Sequence, residues 1–223
     1  MAKNKPKIII LLGRSGSGKG TQAKLLIDDF GFDYLGTGDL LRERVKENDF
    51  SGKKLKQEMD KGERVSTYYV FQLWGKAAEK IKEKPNLKGI IIDGSPRSLL
   101  EAELMDGLLD WYEWENIKVI LIDISSKEAF DRLTKRRMCK MCGRLIPWVG
   151  TFKDLKVCDQ CGGELIERAD DAPAAIRRRM DYFKKDVEPA IEYYQKRKRL
   201  IEIDGEQSIE DVYRDVKKAV SKV

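Results

Sequence analysis

Two stretches of this chain carry residue types whose spacing could do chemistry. The first is Gly13-Arg14-Ser15-Gly16-Ser17-Gly18-Lys19-Gly20-Thr21, set between an apolar run at 8–12 and a helical pattern at 21–30. It is a G-x-x-x-x-G-K string between a strand and a helix, the context that a phosphate-binding loop requires. Glycines let the backbone wrap tightly, so that its N–H groups converge on phosphate oxygens. The helix N-terminus adds partial positive charge, and Lys19 can reach the outer phosphates of a nucleotide. One detail departs from the generic loop. Gly20 follows Lys19, and the hydroxyl comes one place later at Thr21. The grip of a loop hydroxyl on Mg²⁺, usual in GTPases, is therefore not expected.

The second stretch is Cys139-x-x-Cys142, fifteen residues, then Cys158-x-x-Cys161, with Gly143 and Gly162 directly after the two pairs. Two such knuckles supply four thiolates and no open position, which suits a structural Zn²⁺ rather than a catalytic one. Free thiols and disulfides are the competing readings, and a reducing cytosol disfavours disulfides. The cysteines sit in a glycine-rich interruption at 138–168, which reads as a small appended module with little core of its own. Metal binding would supply its folding free energy.

Composition removes other chemistries. The chain of 223 residues has no His, so imidazole bases, nucleophiles and metal ligands are out, and Ser-His-Asp and Cys-His hydrolysis with them. Hydrophobic residues at 41% and charged ones at 37% make a globular composition. A net charge of +6 is compatible with nucleic acid, a membrane surface or a phosphorylated small molecule, and does not choose among them. The basic start followed by the run 8–12 imitates a signal peptide, but five apolar residues are too few. No run approaches a spanning helix, so a cytoplasmic protein is expected.

The elements that must position these residues follow from pattern. Apolar runs at 8–12, 90–92 with Asp93, 117–124 and 200–203 suit strands buried on both faces of a parallel sheet. Helical stripes separate them: Ala23, Leu26, Ile27 and Phe30; then Ile209, Val212, Tyr213, Val216 and Val220 behind a Ser208 N-cap with Asp211 three residues on. Alternating strands and helices predict an α/β doubly wound domain. A helical, polar stretch at 36–66 and the cysteine module interrupt it. Trp111 and Trp114, at i and i+3 of a helix end, read as a packing face.

Taken together, the motifs resemble those of the adenylate kinase family of nucleoside monophosphate kinases, in its zinc-lid form. The anchors are Gly18-Lys19-Gly20-Thr21-Gln22, Thr37-Gly38-Asp39-Leu40-Leu41-Arg42, Asp93-Gly94-Ser95-Pro96-Arg97, Asp131-Arg132 with Arg136-Arg137, Arg168-Ala169-Asp170-Asp171, and Arg179. They stand in the family's order and cover nearly the whole chain. The resemblance implies a single P-loop kinase domain over 1–223, a five-stranded sheet, a monophosphate-binding insertion at 36–66 and a zinc-binding lid at 136–168. It implies reversible transfer from MgATP to AMP, giving two ADP, by a monomer that binds neither nucleic acid nor membrane.

It also implies roles. Gly13, Gly16, Ser17, Gly18, Lys19, Gly20, Thr21, Arg132, Arg136 and Gly205 would bind ATP, with Arg132 stacked on the donor base. Thr37, Arg42, Val65, Gly94, Arg97, Glu101, Arg168 and Arg179 would bind the monophosphate, with Arg42 and Arg97 clamping its phosphate. Lys19, Arg97, Arg136, Arg168 and Arg179 would surround the transferring phosphoryl, and Asp93 would orient water on Mg²⁺. Asp170 and Asp171 would sit at the lid junction.

Some positions depart from the family. Glu101 stands where Gln usually reads adenine through a donor and an acceptor, and an ionised carboxylate only accepts. That opens CMP, GMP or UMP as acceptors beside AMP. Ser15, Glu63, Thr67-Tyr68 and Ser95 also differ, which points to an altered monophosphate site. A nucleic-acid-binding zinc module, suggested by basic charge with Trp111, Trp114 and Trp148, is the contrasting reading.

Overall fold

The computed structural model describes residues 5–61, 63–168 and 171–221, so Asp170 of the Arg168–Asp171 motif lies outside the described residues. The strands are β1 (Lys7–Leu12), β2 (Asp33–Gly36), β3 (Gly89–Asp93), β4 (Asn116–Asp123), the short β5 (Arg137–Cys139), β6 (Leu145–Ile146) and β7 (Leu165–Ile166), and β8 (Leu200–Asp204). Five of them form one parallel sheet in the order β2-β3-β1-β4-β8. β5, β6 and β7 make a separate antiparallel sheet in the cysteine module.

Alternation along β1 explains why helices cover both faces. Ile8, Ile10 and Leu12 pack with α4 (Thr67–Lys82), α5 (Leu99–Trp111) and α8 (Glu188–Lys196). Ile9 and Leu11 pack with α1 (Lys19–Phe30) and α9 (Ile209–Ser221). Each fully buried aliphatic side chain contributes roughly 1.5–3 kcal/mol, so two apolar faces hold the strand central. The Ser208 cap forms as the sequence predicts, its hydroxyl accepting from the Asp211 N–H at 3.1 Å. Lys7 and Lys118 donate to the Val220 and Ala219 carbonyls and close the other end of α9.

The polar segment after β2 folds as α2 (Thr37–Val45) and α3 (Phe50–Asp60). α6 (Ser126–Lys135) leads into the cysteine module, and α7 (Pro173–Tyr182) leaves it, running through a π-helical turn at Phe183–Val187 into α8. From β1 the chain proceeds to β2 on one side, and from β3 to β4 on the other. The crevice at the carboxyl ends of β1 and β3 is thus a topological switch point, where ligands bind in such sheets.

Two expectations need correction or completion. β2 is absent from the apolar-run pattern, because an edge strand of four residues, Asp-Tyr-Leu-Gly, is too short and too polar to register. Trp111 is 79% exposed and stays out of the core, whereas Tyr112 and Trp114 are core residues. The helix ends at Trp111 and Glu113 adopts φ 56°, so the two tryptophans are not on one helical face. Among the described residues no helix is long and apolar enough to cross a membrane.

Candidate active site

The switch-point crevice opens into a cleft of about 950 Å³. Its walls are the glycine loop, the start of α2, the segment before α4, the cysteine module and α7. Of the residues that the sequence nominates, Gly13, Gly16, Ser17, Gly18, Lys19, Gly20, Thr21, Arg42, Val65, Asp93, Gly94, Arg97, Arg132, Arg136, Arg168, Arg179 and Gly205 line it. Thr37 and Glu101 do not.

The loop has the shape expected of a phosphate cradle. Gly13 has φ +143°, and a Cβ there would lie 2.3 Å from the Ile122 carbonyl oxygen, so only glycine fits. The buried Ser17 hydroxyl faces this turn and lacks a protein hydrogen-bond partner, which suits a phosphate oxygen. Lys19 Nζ donates to the Gly13 and Arg14 carbonyls, both at 2.8 Å. Burial lowers its pKa to about 8; Asp93 opposes this, while Arg97, Arg136 and Arg179 add to it. Four cations thus converge on one space, an arrangement that favours a polyanion.

Carboxylates hold Arg42, Arg132, Arg136 and Arg179. Asp171 accepts from Arg136 through both its oxygens, at 2.8 Å each, and from Arg179 at 2.6 Å. Burial works to raise the Asp171 pKa, but the hydrogen bonds and charges of Arg136 and Arg179 outweigh it and hold the carboxyl below its ordinary value. Arg42 pairs with Asp39 at 2.5 Å, and Arg132 with Glu128 at 2.6 Å. Arg97 Nε donates to the Gly94 carbonyl at 2.6 Å. Its side chain is open to the solvent in the cleft, yet protein crowds it, and that crowding draws its pKa down against Glu101 and Asp93.

Asp93, at the end of β3, accepts from the Tyr34 hydroxyl at 3.0 Å. A Cβ on Gly20 would lie 3.7 Å from its Oδ2, so the carboxylate stands against the loop. A hard oxygen donor beside a phosphate cradle fits the needs of Mg²⁺.

Thr37 and Glu101 are 2% exposed each and belong to the wall behind the cleft. The Thr37 hydroxyl donates to Ser95 Oγ at 2.7 Å and accepts from Trp74 Nε1 at 3.0 Å. Glu101 Oε2 accepts from the Arg97 backbone N–H at 2.6 Å. Its Oε1 accepts from Arg64 at 3.3 Å and from the Thr67 hydroxyl at 3.4 Å. Sequence reasoning missed Arg64, which does line the cleft, and Tyr34. Nothing in one sequence marks either, because their partners lie 37 and 59 positions away.

The four cysteine Sγ atoms lie within 4.8 Å of one another. Cys139–Cys161 and Cys142–Cys158 separations are 3.4 and 3.7 Å. A tetrahedral zinc with bonds near 2.3 Å asks for about 3.8 Å between sulfurs, so the set fits the ion. Each knuckle closes alike: the Gly143 N–H donates to the Cys139 carbonyl and the Gly162 N–H to that of Cys158, at 3.0 and 2.8 Å. Trp148, left open by the sequence, lines the cleft beneath Lys135.

A family model described as Adenylate kinase matches residues 11–199 of the chain. The chain is 41% identical over 217 residues to an adenylate kinase of Methanocella arvoryzae, covering 96% of this chain and 98% of that protein. It is 38% identical over 216 residues to an adenylate kinase of Archaeoglobus fulgidus, with the same coverage of 96% and 98%. To an adenylate kinase of Caldanaerobacter subterraneus it is 35% identical over 213 residues, covering 95% of each.

Proposed function

We propose, because the chain belongs to the adenylate kinase family, that its acceptor is AMP and its reaction MgATP + AMP to two ADP. Membership makes the protein a phosphotransferase that moves a phosphoryl group between ATP and a nucleoside monophosphate. The observation that carries phosphoryl transfer is the convergence of Lys19, Arg97, Arg136 and Arg179 on one cleft, close enough for the arginines to depress the lysine's pKa, and the adenylate kinase relatives support AMP as the acceptor. The acceptor's phosphate oxygen is anionic at neutral pH and needs no general base. The obstacles are repulsion and alignment, so catalysis is positioning plus electrostatics. Planar guanidinium forks grip phosphate oxygens bidentately and stay charged.

In this reading Lys19 and the loop amides hold the ATP phosphates, and Arg42 and Arg97 clamp the acceptor phosphate. Arg136, Arg168 and Arg179 face the transferring group, and phosphate oxygens replace Asp171 as the partner of Arg136 and Arg179. Arg132 and Gly205 border the donor base. Asp93 would hold Mg²⁺ through water, and the ion would neutralise charge on the ATP oxygens. Cys139, Cys142, Cys158 and Cys161 would hold a zinc that keeps the 136–168 module in shape over ATP. Residues 36–66 would cover the acceptor. Both coverings exclude water, which would otherwise take the phosphoryl group.

The acceptor panel tests the reading. With ATP and Mg²⁺, AMP should give the highest kcat/KM among AMP, CMP, UMP and GMP; a clear preference for another acceptor would overturn it. The Glu101 substitution supports a second reading, a broader acceptor range, for which similar rates across the panel would be the sign.

The Lys19 titration makes a further prediction. Phosphates bind the protonated lysine and raise its pKa, so binding above pH 8 must take up a proton. ATP affinity should hold up to about pH 8 and then weaken by up to tenfold per pH unit. Calorimetric titration from pH 7 to 10 would reveal this, and a flat profile would contradict it.

A further inference from the structure

We infer that Arg64 is the residue that reads the acceptor base, and that Glu101 acts as its positioning residue rather than touching the base itself. This rests on the acceptor being a nucleoside monophosphate. Three observations converge on it. First, Glu101 is buried behind the cleft, and both its oxygens already accept hydrogen bonds, from the Arg97 N–H, Arg64 and Thr67. To accept from a nucleobase it would have to move through the wall. Second, Arg64 lines the cleft next to Val65, and its guanidinium is held from two sides. Glu101 on α5 lies 3.3 Å from Nη2, and Asp186 in the π-helical turn lies 3.1 Å from Nη1. A guanidinium has five N–H donors in a rigid plane. Two carboxylates on separate elements fix that plane and leave donors for a ligand.

Third, Arg64 stands close enough to Arg97 to help depress that residue's pKa. It is therefore beside the phosphate clamp, yet its own charge is offset by two carboxylates. The trio Glu101–Arg64–Asp186 carries a net negative charge, which repels a phosphate dianion. A neutral base offering ring acceptors, such as adenine N1 or N7, meets no such repulsion. The buried carboxylate at 101 thus supports a donor instead of supplying an acceptor. Specificity of this kind is strong, because a donor fixed in a closed site is left unpaired by the wrong base.

The test compares acceptors with and without a base. For Arg64→Leu, the Kd of the preferred monophosphate should rise about 30-fold, the loss of a charge-assisted hydrogen bond. The inhibition constant of ribose 5-phosphate and the KM for ATP should each stay within about twofold. Equal weakening of AMP and ribose 5-phosphate would overturn the assignment, since Arg64 would then serve the phosphate or the fold. Glu101→Gln should weaken AMP binding about fivefold alone and not at all on top of Arg64→Leu. An undiminished effect in the double variant would mean that Glu101 meets the base directly, and would overturn its positioning role. If Arg64→Leu does not fold, Arg64→Lys keeps the charge but loses the fork, and should show the same contrast between AMP and ribose 5-phosphate. If the wild-type protein prefers CMP, UMP or GMP, the AMP reading fails while Arg64 is judged by the same ratio on that acceptor.

Discussion

Lys19→Met should lower the phosphoryl-transfer rate by about 10²-fold or more while making the unliganded protein more stable. The rate loss follows from removing a preorganised cation aimed at phosphate oxygens, an effect of several kcal/mol in a water-poor site. The stability gain follows from the same charge. In the empty cleft the ammonium is crowded by protein and faces Arg97, Arg136 and Arg179, and its pKa falls from 10.5 to about 8. Holding it protonated at pH 7 costs the fold on the order of 1–3 kcal/mol. Between about pH 8 and 10.5 the unfolded chain binds a proton here that the folded chain does not. Wild-type stability from this group therefore rises with pH across that window. The advantage of Lys19→Met should be largest below pH 8 and shrink towards pH 10.5. Paired thermal unfolding curves without nucleotide would show this, beside a coupled assay of ADP formation. Near-wild-type turnover would remove Lys19 from the chemistry, and a less stable variant would refute the electrostatic account.

Removing the metal proposed for the cysteine cluster should unfold the surrounding module while sparing the sheet. Among the described residues of 137–166, the buried hydrophobic side chains are Cys139, Ile146 and Cys158, too few to offset the chain entropy of ordering the segment. Structural zinc in small folds is worth roughly 10 kcal/mol in apparent terms, so the ion would dominate local stability. Elemental analysis should find about one zinc per chain. After chelation, trypsin should cut at Lys140, Lys153 or Lys156. The KM for ATP should rise about tenfold or more, because Trp148, Val149 and Phe152 of the cleft wall come from this module. Cys139→Ser should behave likewise. A protein purified without metal, equally resistant and equally active, would sink the zinc assignment.

Much of the fold was readable in advance, for a local reason. β1, β3 and most of β4 are buried on both faces, so burial writes itself as continuous apolar runs. The run at 200–203, expected to be buried on both faces, forms a strand at the sheet edge opposite β2 instead. There Ile203 is buried but Glu202 and Asp204 are exposed, because β8 pairs with β4 alone among the described strands. β2 is at the sheet edge, and what makes it a strand is its pairing with β3, from Asp33 opposite Ile90 to Gly36 opposite Asp93. No pattern within four residues conveys that. Trp111 failed as a packing residue because the helix ends on it, and the left-handed Glu113 redirects Trp114 into the core without it.

The chemistry divides the same way. The sequence by itself determined which groups are available: a glycine loop with one lysine, spaced arginines, four paired cysteines and no imidazole. Those are properties of residue type and short spacing, and they hold whatever the chain does elsewhere. Only the tertiary structure decided which side chains face the cleft. It turned Thr37 into a strut for Ser95 and Trp74, withdrew Glu101 into the wall, and brought Arg64 forward between two carboxylates. The physical reason is that burial and ion pairing are settled by whichever elements the sheet connections bring together. Here those are α4, α5 and the turn before α8, far apart along the chain.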